Sequence, residues 1–518
     1  MAPPRSRFIV PGPSTSSLRL AARSPGAHTI SFACRSGALA LAAAALVAVP
    51  EPASSQARQP EWASLSLPGD TLVPASATTS VLEQACPDCN PPKRFWAGAG
   101  ELMVVQFIPW AFTKYVTKGE WSNISPRTWA DNLKFPWQWD NNKFNNNQFA
   151  HPYHGSLYFN TGRSNGYNFW QSAPWAFGGS LMWELFGEVW APAPNDLANT
   201  TLGGITLGEM LFRFSSLTLD NQATGSNRVV REIGAGLINP VRGFNRLVRG
   251  ETGRISENPP DWRPSVIQAS MDVGYRRFAT SGSLDDPNAR DQAFVQFSVF
   301  YGNQIADLDR EPFSSFQVTG ALASRSANHK ALQELRVRGN LAAKRLGSSE
   351  QKRLAAFMTY EYISNPVVDF GAQGFQGGLV YAQAKPGKQM RLSGEALARF
   401  NPIAAIRSDY FVTAEGRDYD YGVGLGGRLA GQALWPGKAT VQLSGGYIFL
   451  PVVSGFPGSH QLWTLSTEAR GYFRGKFGAG VVYNRLWRRS NYTFNADVHQ
   501  DMSEARVFLS LAIPRWEE

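Results

Sequence analysis

The sequence predicts an α+β chain: an aromatic-rich α-helical domain followed by an antiparallel transmembrane β-barrel of about 12 strands. Three observations carry that expectation. The hydrophobic period switches from helical to two at the polar stretch SENPPDWR, residues 256–263. Beyond it, successive segments each pair an apolar face with a charged one, over lengths that suit a tilted membrane strand. No apolar run of about eighteen residues offers a spanning helix instead.

The elements follow in chain order. Arginines without acids precede an apolar core at 37–49, which ends at Pro50 and Glu51, and Ser55-Gln-Ala57 offers small residues for cleavage. Residues 1–57 therefore read as a secretory signal peptide with an unusually long basic region, which suggests a true start further downstream. A single N-terminal anchor is the alternative. Residues 58–94, rich in Pro, Ser, Ala and Thr, read as a flexible linker. Cys86 and Cys89 near its end suit a local disulfide or idle thiols in an oxidising compartment. No second ligand pair for zinc follows them, and no thioredoxin-like pattern surrounds them.

Residues 95–255 form the predicted helical domain, with helices near 97–117, 125–134, 145–162, 167–190, 195–219 and 229–249. Ser125-Pro126 and Pro194-Asn195-Asp196 are readable starts. Glu101, Gln106 and Pro109 make 101–112 a poor transmembrane helix but a plausible buried or interfacial one. Ten of the sixteen tryptophans lie between Trp96 and Trp190, which favours a surface where one ring edge is apolar and the other wet.

The barrel is predicted over 264–516. In Ala293–Tyr301 the odd positions are apolar or small, while Gln296 and Ser298 take the other face. Leu335, Val337, Gly339 and Leu341 oppose Glu334, Arg336, Arg338 and Asn340. Arg391, Glu395, Arg399, Glu468, Arg470 and Arg474 recur on the charged faces of later strands. Paired across the wall, these groups make the lumen more plug than pore, with a narrow anion-preferring or gated channel as the alternative. The net charge of +10 is partly the leader's, and the rest is spread along the chain. That excludes a nucleic-acid interface and leaves outer-membrane lipid, and other envelope components, as the expected partners.

The candidate chemistry lies in 144–213. His151 and His154 share a helix face, as do Glu184 and Glu188. Asp196 opens the next helix, and Glu209 and Arg213 lie further along it. Helix packing could gather His151, His154, Glu184 and Glu188 around zinc, manganese or iron, although there is no HExxH and no paired Glu-x-x-His. His154-Gly-Ser156 sets a hydroxyl beside an imidazole, and Ser164, Ser172 and Ser180 are also available, which suits an envelope lipid hydrolase. The glycine-flanked GxSxG elbow is absent. In the third reading these polar groups satisfy one another inside a lipid-facing domain, and Gly178-Gly179 and Gly203-Gly204 let helices approach closely. No cofactor is specified.

The runs NQFAHPYHGS (147–156), GSLMWE (179–184) and TTLGG (200–204) together resemble an uncharacterised bacterial family, a domain of unknown function found in envelope proteins. The resemblance spans roughly residues 120–230 and implies no activity. A fainter likeness, to small envelope proteins and VanZ-like domains, rests on His154, Glu184, Asp196-Leu197 and Gly203-Gly204. The resulting expectation is an outer-membrane protein whose helical domain engages lipid or envelope material at the periplasmic face. An envelope lipid hydrolase or metal-dependent enzyme, and a gated channel, are the alternatives.

Overall fold

The computed structural model describes residues 86–324, 331–349, 351–366, 368–383, 390–473 and 476–517. The predicted signal peptide and most of the predicted linker, with Cys34, lie outside the described residues, as does Arg474. The linker's last nine residues are tied down. Cys86 and Cys89 form a disulfide, and Asp88 pairs with Arg254 at 2.6 Å.

The helical region opens with α1 (Phe95–Phe112) and α2 (Pro126–Asn132). In α2 the Ser125 hydroxyl accepts from the Thr128 N–H and proline fills the first helical position. Next come α3 (His151–Arg163), α4 (Phe169–Met182), α5 (Pro194–Ala198) and α6 (Gly204–Thr218). Wider π turns at Thr113–Thr117, Asn146–Ala150, Trp183–Gly187 and Asn199–Gly203 extend or join these helices. The single helix expected over 229–249 is two, α7 (Gly225–Ile238) and α8 (Pro240–Val248). Asn239 breaks it, because its side chain caps the Arg242 N–H at 3.1 Å while Pro240 cannot continue a helix.

Helix crossings depend on missing side chains. A Cβ at Gly155 would lie 1.8 Å from the Thr200 carbonyl oxygen, and one at Gly204 would meet the Gly155 backbone at 2.5 Å. Thus α3 and the segment leading into α6 touch backbone to backbone.

Twelve antiparallel strands follow and close into a barrel in sequence order, β1 (Val266–Ala279) pairing with both β2 (Arg290–Tyr301) and β12 (Val498–Glu517). Between them run β3 (Phe316–Ala323), β4 (Leu332–Arg345), β5 (Lys352–Ser364), β6 (Asp369–Ala382), β7 (Arg391–Arg407), β8 (Tyr419–Trp435), β9 (Ala439–Ser454), β10 (Gly458–Phe473) and β11 (Phe477–Tyr492). The even number returns both barrel ends to one rim, called here the terminus end; the other is the loop end.

Ion pairs identify the inner face. Arg506 on β12 reaches Glu334 on β4 at 3.6 Å, although three strands separate them around the wall. Arg338 on β4 reaches Glu395 on β7 at 2.8 Å. Such contacts are possible only across the lumen. Alternation then turns Leu335, Val337, Tyr360, Tyr362, Gln373, Ile403, Tyr419 and Tyr421 outward, because cross-strand partners share a face.

That outward face of β1–β8 is where the helices pack. Phe214 of α6 meets Phe316 with ring centroids 5.4 Å apart, and Phe169 stacks on Phe313 at 5.6 Å. A Cβ at Gly371 would strike Gln148. The helical region is therefore a layer on the barrel's flank, running from Phe313 at the terminus end to the 408–418 connection at the loop end, and not a cap beneath one mouth. Among the described residues no helix is long and apolar enough to cross a membrane by itself. Elsewhere the outer wall presents Val273, Leu443, Leu465, Val481, Val507 and Leu509 as exposed apolar side chains, the belt of a transmembrane barrel.

Candidate functional site

The opening of the NQFAHPYHGS run is a clamp on the outer wall. The Gln148 side chain donates to the Tyr421 hydroxyl at 3.1 Å, and the Tyr360 hydroxyl donates to the Gln148 carbonyl at 2.7 Å. Asn147 donates to the Tyr419 hydroxyl at 2.9 Å, and Tyr362 donates to the Asn145 side chain at 2.8 Å. Asn199 and Asn195 add donors to Tyr421 at 3.2 and 3.4 Å. Three side-chain amides thus converge on one buried phenolic oxygen. Arg417 covers the Tyr421 ring from the loop end, its guanidinium carbon 4.8 Å from the centroid.

Behind the clamp lies an acidic cluster. Asp140 accepts from Asn147 at 2.9 Å, and its backbone N–H donates to Asn195 at 2.9 Å. Asp196 accepts from Asn195 at 2.8 Å and stands 3.8 Å from His151 Nε2. Glu184 accepts from the Ala193 N–H at 2.8 Å. Burial first, and the neighbouring carboxylates second, push Glu184, Glu188 and Asp196 well above the usual carboxylate range. These acids hold protons at pH values where exposed carboxylates are ionised.

The remaining candidates part company. His154 meets other partners than His151 does, its Nδ1 3.4 Å from the Tyr158 hydroxyl and its ring 5.2 Å from Trp183. Ser156 donates to the Tyr153 carbonyl at 2.6 Å, within its own helix turn, instead of to an imidazole. Glu209 lies elsewhere, held by Arg163 at 2.7 Å and Arg213 at 2.9 Å. Burial pushes its carboxyl up, but the two guanidinium groups outweigh that and hold it below the usual range. Among the described residues no three His, Cys, Asp or Glu side chains are placed to hold a metal ion.

Asp140 and the wall tyrosines were not among the sequence candidates. Their one available signal is the Tyr-x-Tyr alternation at 360–362 and 419–421, which puts two phenols on one strand face. A Ser–His–Asp contact with no signal in the sequence spacing lies in the barrel. On the lumen face at the loop end, His460 Nδ1 lies 2.8 Å from Ser490 and its Nε2 3.0 Å from Asp420. All three residues are fully buried, so the hydroxyl is not presented to solvent and the contact joins β8, β10 and β11.

Residues 136–241 match the family model described as Domain of unknown function (DUF3943). The match covers the clamp, the acidic cluster and α3–α6, and stops within α8. No curated protein matches the chain. Among solved structures, the chain is similar to the NanC porin at 10% identity, covering 46% of this chain and 98% of that one with a TM-score of 0.26. It is also similar to an outer membrane channel from Pseudomonas putida F1 at 9% identity, 48% and 94% coverage and a TM-score of 0.26. An anion-selective porin from Comamonas acidovorans aligns at 8% identity, 48% and 99% coverage and a TM-score of 0.21.

Proposed function

We propose that the protein is an outer-membrane-anchored structural or binding module whose helical layer engages membrane lipid. One observation carries this reading: the layer is clamped to the outward face of β1–β8, the face that a bilayer would otherwise cover. By displacing lipid there, the layer takes over the lipid contact. Its own outer side is suited to that, with Trp96, Met103, Phe107, Ile108, Phe177 and Trp190 exposed. In this reading the terminus end is periplasmic, and the layer begins there and climbs the flank.

The test is tryptophan fluorescence of the full chain refolded into vesicles of phosphatidylcholine with brominated acyl chains. Marked quenching relative to unbrominated vesicles is the expected result; unquenched tryptophan would sink the reading. A gated channel is the second reading, favoured by one observation. The mid-lumen ion pairs are partly wet, with the Arg336 side chain 48% exposed, while Phe370, Ile406, Ile448, Leu450 and Leu462 fill the loop end with buried apolar groups. Planar-bilayer conductance decides that reading, and a silent barrel under all applied voltages removes it.

A further inference from the structure

The α7–α8 hairpin is amphipathic inside out. Val229, Val230, Ile233, Leu237, Phe244 and Leu247 are 49–67% exposed, whereas Arg228, Arg242 and Arg246 are 3–7% exposed. A hairpin folded against water would show the reverse. The cations turned inward are fully used. Arg228 donates to the Asp220, Thr252 and Glu251 carbonyls at 2.8–2.9 Å. Arg246 forms a bidentate pair with Glu232 at 2.8 and 2.9 Å. Arg242 donates to the Ser216 hydroxyl at 2.5 Å and lies 4.9 Å from the Trp262 ring centroid. A Cβ at Gly243 would lie 2.5 Å from Gly236 Cα, so the two helices close on each other without side chains between them.

We propose that this hairpin beds its outward face in the acyl chains of the leaflet at the terminus end, as an in-plane anchor with a polar spine. This rests on the reading of the layer as lipid-engaging and goes further by naming the segment, the leaflet and the lipid part. Two facts favour acyl chains over another occupant. The hairpin packs on Trp262, four residues before β1 begins, which sets it beside the rim where the wall's own apolar belt starts. It also packs on α6, which lies on the outer face of the wall, so its exposed side continues the belt's surface. Polar side chains that find all their partners inward are what a hydrocarbon surround demands.

The test uses the full chain with single cysteines at Ile233, Leu247 and, as a separate probe of α1, Ile108, each labelled with bimane in phosphatidylcholine vesicles. At 233 and 247, brominated chains should lower emission about twofold or more, while aqueous iodide has little effect, as for an interfacial apolar face. Iodide quenching at 233 and 247 with bromine quenching at 108 overturns the anchor and leaves the broader reading standing; loss of bromine quenching at all three overturns both. Crosslinking between copies through 233 or 247 assigns the face to a second chain and also overturns the anchor. Retention of the barrel's heat-modifiable gel mobility checks that each variant is folded.

Discussion

The two faces of the same wall handle their polar groups in opposite ways. Toward the lumen, guanidinium and carboxylate groups pair, as on Glu395, which Arg338 reaches across the barrel at 2.8 Å and Arg428 from the neighbouring strand at 3.0 Å. Toward the helical layer, the wall offers phenols, and the layer answers with neutral amides. Around Glu395 water accounts for the difference. The Arg428 side chain is 32% exposed, so solvent shares its charge; Tyr421 is fully buried, and an ion there would bear its full desolvation cost. At the clamp the layer is held to the wall by neutral hydrogen bonds, while the buried charge of Glu209 is enclosed between two arginines.

The hardest way to break that arrangement is to part the helices. Gly155→Val places a side chain where Thr200 O already stands 1.8 Å from the site of a Cβ. The expected result is a layer that no longer docks, read as rapid proteolysis within 140–250 while the barrel keeps its heat-modifiable mobility. Equal protection of variant and parent would show that the crossing is dispensable.

The next contrast sets an enclosed charge against a wet one. Glu209→Ala strands Arg163 and Arg213 in a dry interior and should cost about 3–5 kcal/mol of local stability. Glu395→Ala leaves its arginines partly hydrated and should cost about 1 kcal/mol or less. Hydrogen exchange in α3 and α6, compared with β7, measures both. If the two variants lose equally, solvent access is not what separates the faces.

The clamp comes third. Tyr421→Phe removes the acceptor shared by Gln148, Asn195 and Asn199, and unsatisfied buried donors of that kind cost about 1–3 kcal/mol. Exchange should quicken at 146–150 and 195–199. Tyr483→Phe, on an uncovered part of the wall, supplies the comparison and should change nothing in the layer.

Much of this fold was legible because membrane strands and helices advertise themselves by period. Gln296 against Val295, and Glu395 against Ala396, mark two faces whatever lies beyond them. Ser125-Pro126 marks a helix start for purely local reasons, and Asn239-Pro240 would have marked the break between α7 and α8. What covers an apolar face is a different matter. Leu335 and Val337 under the helices read the same as Leu443 and Val507 facing outward, since hydrocarbon and protein interior select the same side chains. The site divided along the same line. Spacing put His151 and Asp196 in one region, where they do meet; His154, three residues on in the same helix, meets Tyr158 and Trp183 instead. The tyrosines that receive the motif lie more than two hundred residues away, and nothing local to the motif points to them.

The smallest effect concerns protons, and its sign separates the acidic cluster from the Glu209 triad. Glu184, Glu188 and Asp196 have folded pKa values raised above their unfolded ones by burial and mutual repulsion. The native layer therefore binds more protons than the unfolded chain once the pH exceeds the ordinary carboxylate range. Stability from this cluster is fully present below about pH 4 and declines as the pH rises through the raised values. Glu209 works the other way: its folded pKa is lowered, so its contribution is present above the ordinary range and is lost as the pH falls through the lowered value. Asp196→Asn removes one repelling charge and keeps an oxygen to accept from Asn195. It should flatten the decline of the layer's exchange protection on the high-pH side and leave the acid limb, set by Glu209, where it was. A parent protein without that decline would have a cluster already ionised in the native layer, and the contrast between a charge-poor clamp and a charge-rich lumen would be overdrawn.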